Sequence, residues 1–227
     1  MAALLETSWL NLALANYAIA PAALAAVVPR GTTLDVVDGL AYVSVVGFEW
    51  ARPRWWGVPA PFHGRFAELN LRTYVHAGDR AGVVFLRELV GMPVVAWLGR
   101  DVYGEPFTLA RVEPAHGPGA RLGYRWNERG AWETLDLEPE ATHVPTGPPA
   151  AFYLDRGWAF TGHPRASTRA YAVQRASGQV QQARATLVAD VARLYGAPYV
   201  EALAAPPASA LVATGSPVRV AAAERLG

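Results

Sequence analysis

Short segments with regular hydrophobic patterns make up most of the chain, and glycine or proline separates one from the next. The clearest segment, Phe66–His76, alternates strictly between two kinds of side chain, as a β-strand with two different faces does. Leu34–Val37 and Leu40–Phe48 flank Asp38–Gly39, a dipeptide that favours a tight hairpin turn. Further strands are predicted at Trp9–Tyr17, Ala81–Leu89, Val94–Leu98, Tyr103–Glu113, Arg121–Asn127, Ala131–Leu137, Trp158–Gly162, Ala170–Gln174, Val180–Ala189 and Val218–Ala222.

Few helices are predicted. A short helix begins at Pro21, because proline is favoured at the first helical position, and another covers Ala189–Leu203 with a break near Gly196–Pro198. Arg52–Gly64, rich in proline, glycine and tryptophan, is predicted to be a loop. Many short strands with turn signals between them are typical of a β-sandwich or β-barrel, so the fold class is mainly β.

Composition narrows the classes of function. The 227 residues are 52% hydrophobic and 17% charged, which excludes a disordered chain and favours one domain over residues 1–227. A net charge of +1 provides no strong field for nucleic acid. Cysteine is absent, and all twenty basic residues are arginine. Disulfides, thiolate metal sites and a lysine Schiff base are therefore excluded.

The chain is uncharged from Leu10 to Val28, which is long enough to raise the question of a membrane helix. Asn11, Asn16 and Pro21 interrupt this stretch and argue against one, and Glu6 with no preceding basic residue argues against a signal peptide. We expect no membrane association and a cytoplasmic location.

The strand Phe66–His76 carries the most informative candidate chemistry. One face is a core face: Ala67, Leu69, Leu71, Thr73 and Val75. The other face is polar and aromatic throughout: Phe66, Glu68, Asn70, Arg72, Tyr74 and His76. Neighbours on one face lie about 6.8 Å apart, so Glu68, Asn70 and Arg72 could line one wall of a cavity. They could equally form the solvated face of an antiparallel sheet, and the pattern alone leaves both interpretations open.

A second candidate is the segment from Gly99 to Ala110. It reads Gly-Arg-Asp-Val-Tyr-Gly-Glu-Pro-Phe-Thr-Leu-Ala and resembles the signature of the acetoacetate decarboxylases. In those enzymes two lysines follow the proline, one forming the Schiff base and the other lowering its pKa. Phe107 and Thr108 stand at these positions here, so the resemblance implies that Schiff-base decarboxylation is absent.

A closer resemblance covers about 200 residues and is to the YqjF-like family of unknown function, within the acetoacetate decarboxylase superfamily. The shared stretches are Trp9–Asn11, Ala15–Tyr17, Pro29–Asp35, Asp38–Ser44, Phe66–Val75 and Phe152–Arg156. Two stretches depart from the family. Tyr171–Ala183 lacks the usual His-His-x-Pro-Trp-like element, and Asp155-Arg156-Gly157 replaces an acid-Arg-aromatic triplet. One wall of any shared pocket is therefore expected to be remodelled.

The resemblance implies one antiparallel closed β-barrel with a few short helices. It favours the cavity interpretation of Glu68, Asn70 and Arg72, because the corresponding strand of the superfamily contributes pocket residues. Arg100 is then a candidate carboxylate clamp, since guanidinium groups bind carboxylates in a bidentate way. The remaining candidate ligand-binding residues are Asn16, Tyr17, Tyr103 and Phe107.

Three functions follow as hypotheses. The first is a binding protein or pseudoenzyme that holds a small carboxylate or keto acid. The second is a lysine-independent enzyme for enolisation, isomerisation or hydration, with Glu68 as base and Arg72 and Arg100 as the substrate clamp. The third is an interaction protein with a filled barrel, and the aromatic content is compatible with a homo-oligomer. No cofactor is expected, and no metal, because the histidines have no zinc-site spacing: His63, His76, His116, His143 and His163.

Overall fold

A computed structural model describes residues 3–59, 64–128, 130–141, 147–162, 165, 167–176 and 178–226. The strands are β1 (Ala3–Ile19), β2 (Thr33–Leu34), β3 (Ala41–Trp55), β4 (Val58–Pro59), β5 (Arg65–Ala77), β6 (Arg80–Val90), β7 (Phe107–Leu109), β8 (Arg111–Pro114), β9 (Leu122–Asn127), β10 (Glu133–Pro139), β11 (Trp158–Thr161), β12 (Arg169–Arg175), β13 (Val180–Val188), β14 (Ser209–Ala213), β15 (Ser216–Ala221) and β16 (Glu224–Arg225).

The helices are short. They are α1 (Pro21–Leu24), α2 (Pro93–Leu98), α3 (Ala150–Leu154), α4 (Val191–Tyr195) and α5 (Val200–Ala204). A π-helical turn, Gly99–Tyr103, continues α2, and a 3-10 turn, Ala197–Tyr199, joins α4 to α5. Within the described ranges, no helix has the length and apolar character needed to cross a membrane.

Seven strands of the described chain close into a barrel, in the order β1, β3, β5, β6, β11, β12, β15 and back to β1. The predicted mainly β fold and closed barrel are confirmed. The barrel is mixed rather than wholly antiparallel, because β6 and β11 pair in parallel. Parallel neighbours need a long crossover connection, and the chain from β7 to α3 provides it.

A second sheet covers one side of the barrel. Its order is β8, β9, β10, β13 and β14, and β14 joins it to the end of β1. Tyr124, Trp126 and Leu135 of this sheet pack against the outward-facing side chains of β1, β3 and β5. Gly47 makes the contact possible, because a Cβ there would lie only 2.3 Å from the Tyr124 ring. Strand β5 is therefore buried on both faces, one against the second sheet and one inside the barrel.

Three predicted elements were wrong in kind or extent. Val94–Leu98 is helical and not a strand, and Pro93 occupies the first turn of the helix. The predicted loop Arg52–Gly64 is partly strand, since β3 continues to Trp55 and pairs with β4; residues 60–63 lie outside the described part. The predicted strand Tyr103–Glu113 is split into the end of the π-helical turn and the short strands β7 and β8.

Candidate functional site

The barrel encloses a cavity of about 80 Å³ whose walls are mainly apolar and aromatic. Among its lining residues are Leu12, Val46, Phe48, Trp50, Phe85 and Val220. The polar groups in the lining are Glu68, Asn70 and Arg72 of β5, Glu88 of β6 and Glu105 just before β7. The solvated-face interpretation of β5 is therefore corrected, because Glu68 is only 1% exposed and Asn70 only 2%.

The pairing of β5 with β6 brings Glu68 and Glu88 close to each other. Asn70 lies directly opposite Glu88, and Glu68 lies opposite Val90. A β-bulge interrupts the alternation of β6 after Phe85, because Arg72 pairs with Phe85 while Leu71 pairs with Arg87. Phe85 and Glu88 consequently both line the cavity although one has an odd and the other an even number. Sequence alternation alone assigns these two residues to opposite faces, which is why Glu88 was missed.

Glu68 is held by donors on both carboxyl oxygens. Trp50 Nε1 donates to Oε2 at 2.8 Å, and Asn70 Nδ2 donates to Oε1 at 3.1 Å. Burial raises the pKa of Glu68 to about 7, and the hydrogen bonds and the positive charge of Arg72 offset only part of this rise. A carboxyl whose pKa is raised toward neutrality suits a group that gives or takes a proton.

Glu88 has a pKa raised well above its ordinary value, first by burial and then by the negative charges of Glu68 and Glu105. The Glu68 and Glu88 side chains are joined by a hydrogen bond. Oε1 of Glu88 and Oδ1 of Asn70 have no hydrogen-bond partner among the described residues. The acid end of the cavity therefore contains acceptor atoms that the described protein leaves unused.

Glu105 was also missed by the sequence analysis, although it lies two residues from each of the predicted site residues Tyr103 and Phe107. Gly104 has a φ of +78°, which turns the chain back toward the barrel. Tyr171 of β12 donates to Glu105 Oε1 at 2.8 Å. Burial raises the pKa of Glu105 to about 8, partly offset by the hydrogen bond from Tyr171 and increased by the charge of Glu68.

Arg72 lies where the cavity approaches α3. Its Nη2 donates to the carbonyl oxygen of Tyr153 at 3.0 Å, and its Nε is buried without a hydrogen-bond partner in the described chain. Arg175 makes the matching contact, with Nη2 donating to the carbonyl oxygen of Leu154 at 3.0 Å, but it does not line the cavity. Both arginines hold the same helix, and only Arg72 also reaches the cavity.

The other predicted residues lie in different places. Tyr103 and Phe107 line the cavity. Arg100 is exposed on the outer side of the π-helical turn and does not line the cavity, so it does not take the predicted position of a clamp. Asn16 is buried but bonds to Ser44 and Ser209 outside the cavity lining. Tyr17 points away from the lumen and packs in the core between the barrel and the second sheet.

The remaining predictions concern the late strands and metals. The segment Tyr171–Ala183 contributes Tyr171 and Val173 to the cavity lining. Within the described ranges, no group of three or more histidine, aspartate or glutamate side chains could hold a metal ion. His63, His143 and His163 lie outside these ranges.

The closed mixed barrel with its short helices has the acetoacetate decarboxylase-like fold. The chain matches the DUF2071 family, described as an uncharacterized conserved protein (COG2071), over residues 6–217, and it belongs to this family. The predicted acetoacetate decarboxylase-like fold is confirmed, whereas the resemblance to the YqjF-like family stays a prediction. No curated protein matches the chain.

Several solved structures share the fold at low sequence identity. An acetoacetate decarboxylase-like enzyme from Sphingomonas wittichii RW1 is 20% identical, with a TM-score of 0.67 over 100% of this chain and 94% of that one. Acetoacetate decarboxylase from Legionella pneumophila is 13% identical, with a TM-score of 0.70 over 100% and 88%. The enduracididine biosynthesis enzyme MppR, complexed with pyruvate, is 14% identical, with a TM-score of 0.67 over 98% and 90%.

Proposed function

We propose that this protein binds a small organic molecule with a carboxylate group inside the barrel cavity. The observation that carries the proposal is Arg72, whose side chain lines the cavity while its buried Nε has no hydrogen-bond partner among the described residues. A carboxylate there would satisfy this donor through a charge-assisted hydrogen bond. Trp50, Phe48 and Phe85 would enclose the apolar part of the ligand.

The size of the cavity limits the ligand. A water molecule needs roughly 10–15 Å³ of such space, so a cavity of about 80 Å³ accommodates only a handful of non-hydrogen atoms. Short-chain carboxylates and keto acids fit this limit. Pyruvate, with which the similarly folded MppR is complexed, is of this size.

Decarboxylation through a Schiff base is not part of the proposal. The sequence contains no lysine, and Phe107 rather than an amine faces the cavity from β7. The protein is therefore a pseudoenzyme with respect to that reaction, whatever other chemistry it performs.

The test compares two arginines that hold the same helix. Thermal unfolding is followed with butyrate, 2-oxobutyrate and the neutral butyramide, for the unchanged protein and for Arg72→Gln and Arg175→Gln. A ligand at a hundred times its dissociation constant stabilises by about 2.7 kcal/mol, or roughly 5–10 °C here. We expect an acid-specific shift that Arg72→Gln abolishes and Arg175→Gln retains. Equal shifts with the acid and the amide, or equal loss in both variants, would contradict the proposal.

A second candidate function is acid–base catalysis on the bound molecule. The specific observation is that Glu68, with a pKa of about 7, lies beside Glu88 in the cavity. Such a carboxylate could remove a proton next to a carbonyl group, giving an enolate that Arg72 stabilises. Deuterium exchange at C3 of 2-oxobutyrate, followed by NMR, tests this step. Exchange that Glu68→Gln leaves unchanged would contradict it.

A further inference from the structure

The acid end of the cavity is rich in buried oxygen atoms. Glu68, Glu88 and Glu105 all line it, and each is at most 4% exposed. Oδ1 of Asn70 and Oε1 of Glu88 are buried acceptors without partners in the described chain. Leaving a buried acceptor unsatisfied is costly, so two of them in one cavity favour a ligand that donates hydrogen bonds. A simple carboxylate, which only accepts, could satisfy Arg72 but neither of these atoms.

We infer that the ligand carries a second polar group, a primary ammonium, which lies against Asn70 and Glu88 while its carboxylate contacts Arg72. The carboxylate half of this inference rests on the proposed function, and the ammonium half rests on the unused acceptors. An ammonium group supplies three donors and a positive charge, and three neighbouring carboxyl groups provide the complementary charge.

The distance between Asn70 and Arg72 limits which ligands can contact both residues. Asn70 and Arg72 are next neighbours on one face of β5, so their Cα atoms lie about 6.8 Å apart. The ammonium and carboxylate must therefore be separated by a few carbons, as in a β- or γ-amino acid. An α-amino acid places both groups on one carbon and could not reach both ends as well. The cavity of about 80 Å³ excludes much longer chains.

The charge of the ligand determines whether the glutamates release or take up protons when it binds. Among the described residues, the charged or titratable groups that line the cavity are Glu68 and Arg72 of β5, Glu88 of β6, Glu105 before β7, Tyr103 of the π-helical turn and Tyr171 of β12. Burial raises the pKa of both tyrosines, so they stay neutral. A cation favours ionised carboxylates and must release protons from the glutamates, whereas a bound carboxylate alone must take protons up.

The experiment uses the full chain and four probes: γ-aminobutyrate, β-alanine, butyrate and propylamine. Calorimetric titration at pH 7, in buffers of different ionisation enthalpy, gives both affinity and protons exchanged. We expect an ω-amino acid to bind at least tenfold more tightly than butyrate, with proton release. Glu88→Gln should weaken ω-amino acid and propylamine binding about tenfold and leave butyrate unchanged or tighter. Glu113→Gln, at a half-buried glutamate that is paired with Arg111 and Arg125 and does not line the cavity, should change none of these.

The outcomes separate the two proposals. Butyrate binding as tightly as the ω-amino acids, with proton uptake, supports the proposed function and overturns this inference. Propylamine binding with proton release, without butyrate binding, supports the ammonium site and overturns the carboxylate site. Binding of none of the probes at millimolar concentration overturns both. Proton release is measured on the unchanged protein, so the test stands even where Glu88→Gln folds poorly.

Discussion

Two buried glutamates on neighbouring strands have opposite ionisation behaviour. Glu68 of β5 lies opposite Phe48 of β3, and Glu49 is the next residue of β3, so Glu49 points to the other face of the barrel wall. Both are almost completely buried, at 1% and 3% exposed. Yet the pKa of Glu68 is raised to about 7, and that of Glu49 is lowered to about 2.

The hydrogen-bond and charge partners of the two carboxyl groups explain the difference in their pKa values. Burial disfavours ionisation of Glu49 as well, but Arg65 donates to both of its oxygens, and His116 and Asn11 donate to Oε1. Gly123 N donates to Nδ1 of His116, which leaves Nε2 of that ring as the donor to Glu49. Glu68 instead has only neutral donors within hydrogen-bond distance, and two further acids share its cavity. A buried carboxyl whose oxygens are paired with charged hydrogen-bond donors stabilises the fold. A buried carboxyl without such donors is available to bind a ligand or a proton.

The largest effect is expected when the paired acid is removed. Glu49→Gln should lower the free energy of unfolding by about 3 kcal/mol, because the amide loses the charge-assisted hydrogen bonds that Arg65 and His116 donate to the buried carboxylate. The unfolded chain protonates this group near pH 4.5 and the folded protein only near pH 2. Its stabilisation is thus complete above pH 4.5 and lost as the pH falls to about 2.

Urea unfolding of both proteins between pH 2 and 7 checks this. The difference in stability between them should shrink toward low pH. A difference that stays constant over this range would mean that the charge of Glu49 contributes nothing.

The unpaired acids should give the opposite pH dependence. For a carboxyl with a raised pKa, the folded protein keeps its proton above pH 4.5 while the unfolded chain loses it, so stability falls as the pH rises toward 7 or 8. Glu88→Gln replaces a carboxyl that the folded protein keeps protonated by a group that does not titrate, so it should make this loss of stability smaller between pH 5 and 8. Thermal unfolding across that range measures it, with Glu113→Gln as control. An unchanged slope in Glu88→Gln would show that the pKa of Glu88 is not raised in the folded protein.

Much of the fold could be predicted from the sequence. The alternation over Phe66–His76 fixes β5 and its two faces, and the break near Gly196–Pro198 is observed as a 3-10 turn between α4 and α5. The short apolar run Val94–Leu98 was misassigned because such a run fits a buried strand and a buried helix equally. Only Pro93, at the first helical position, distinguishes the two.

Less of the site could be predicted. Glu68, Asn70 and Arg72 share one face of a regular strand, so a period of two residues locates them. Glu88 reaches the cavity only because a bulge shifts the alternation of β6 by one residue, and Glu105 only because Gly104 turns the chain. The bulge depends on how β6 pairs with β5, and the turn at Gly104 depends on the π-helical turn before it; the alternation of side chains encodes neither.

A smaller effect is expected when the cavity beside Glu68 and Glu105 is partly filled. A Cβ on Gly99 would lie 2.2 Å from the Phe107 ring, so Gly99→Ala must push that ring into the cavity. Overpacking of this kind costs about 1–2 kcal/mol. It should also raise the pKa of Glu105 and Glu68 further and leave that of Glu49 unchanged, as measured by carboxyl carbon NMR titration.

Two variants control this experiment. Gly91→Ala adds a methyl group at an ordinary contact distance of 3.5 Å from the Ala110 carbonyl oxygen and should be nearly neutral. Combining Gly99→Ala with Phe107→Leu makes room for the added methyl group and should restore the pKa values of the acids. If the pKa values of Glu105 and Glu68 are unchanged in Gly99→Ala, the Phe107 ring has moved away from the cavity instead of into it.

The smallest effect is expected from trimming one partner of Glu49. Asn11 has a φ of +54° within a bulge of β1, and its Nδ2 donates to Glu49 Oε1 at 2.7 Å. Asn11→Gly keeps the backbone conformation accessible and removes only the donor, so it should cost about 1 kcal/mol. Arg65 and His116 remain, and the pKa of Glu49 should rise only slightly above 2. A rise toward the value of Glu68 would show that Asn11, and not the ion pair, separates the two glutamates.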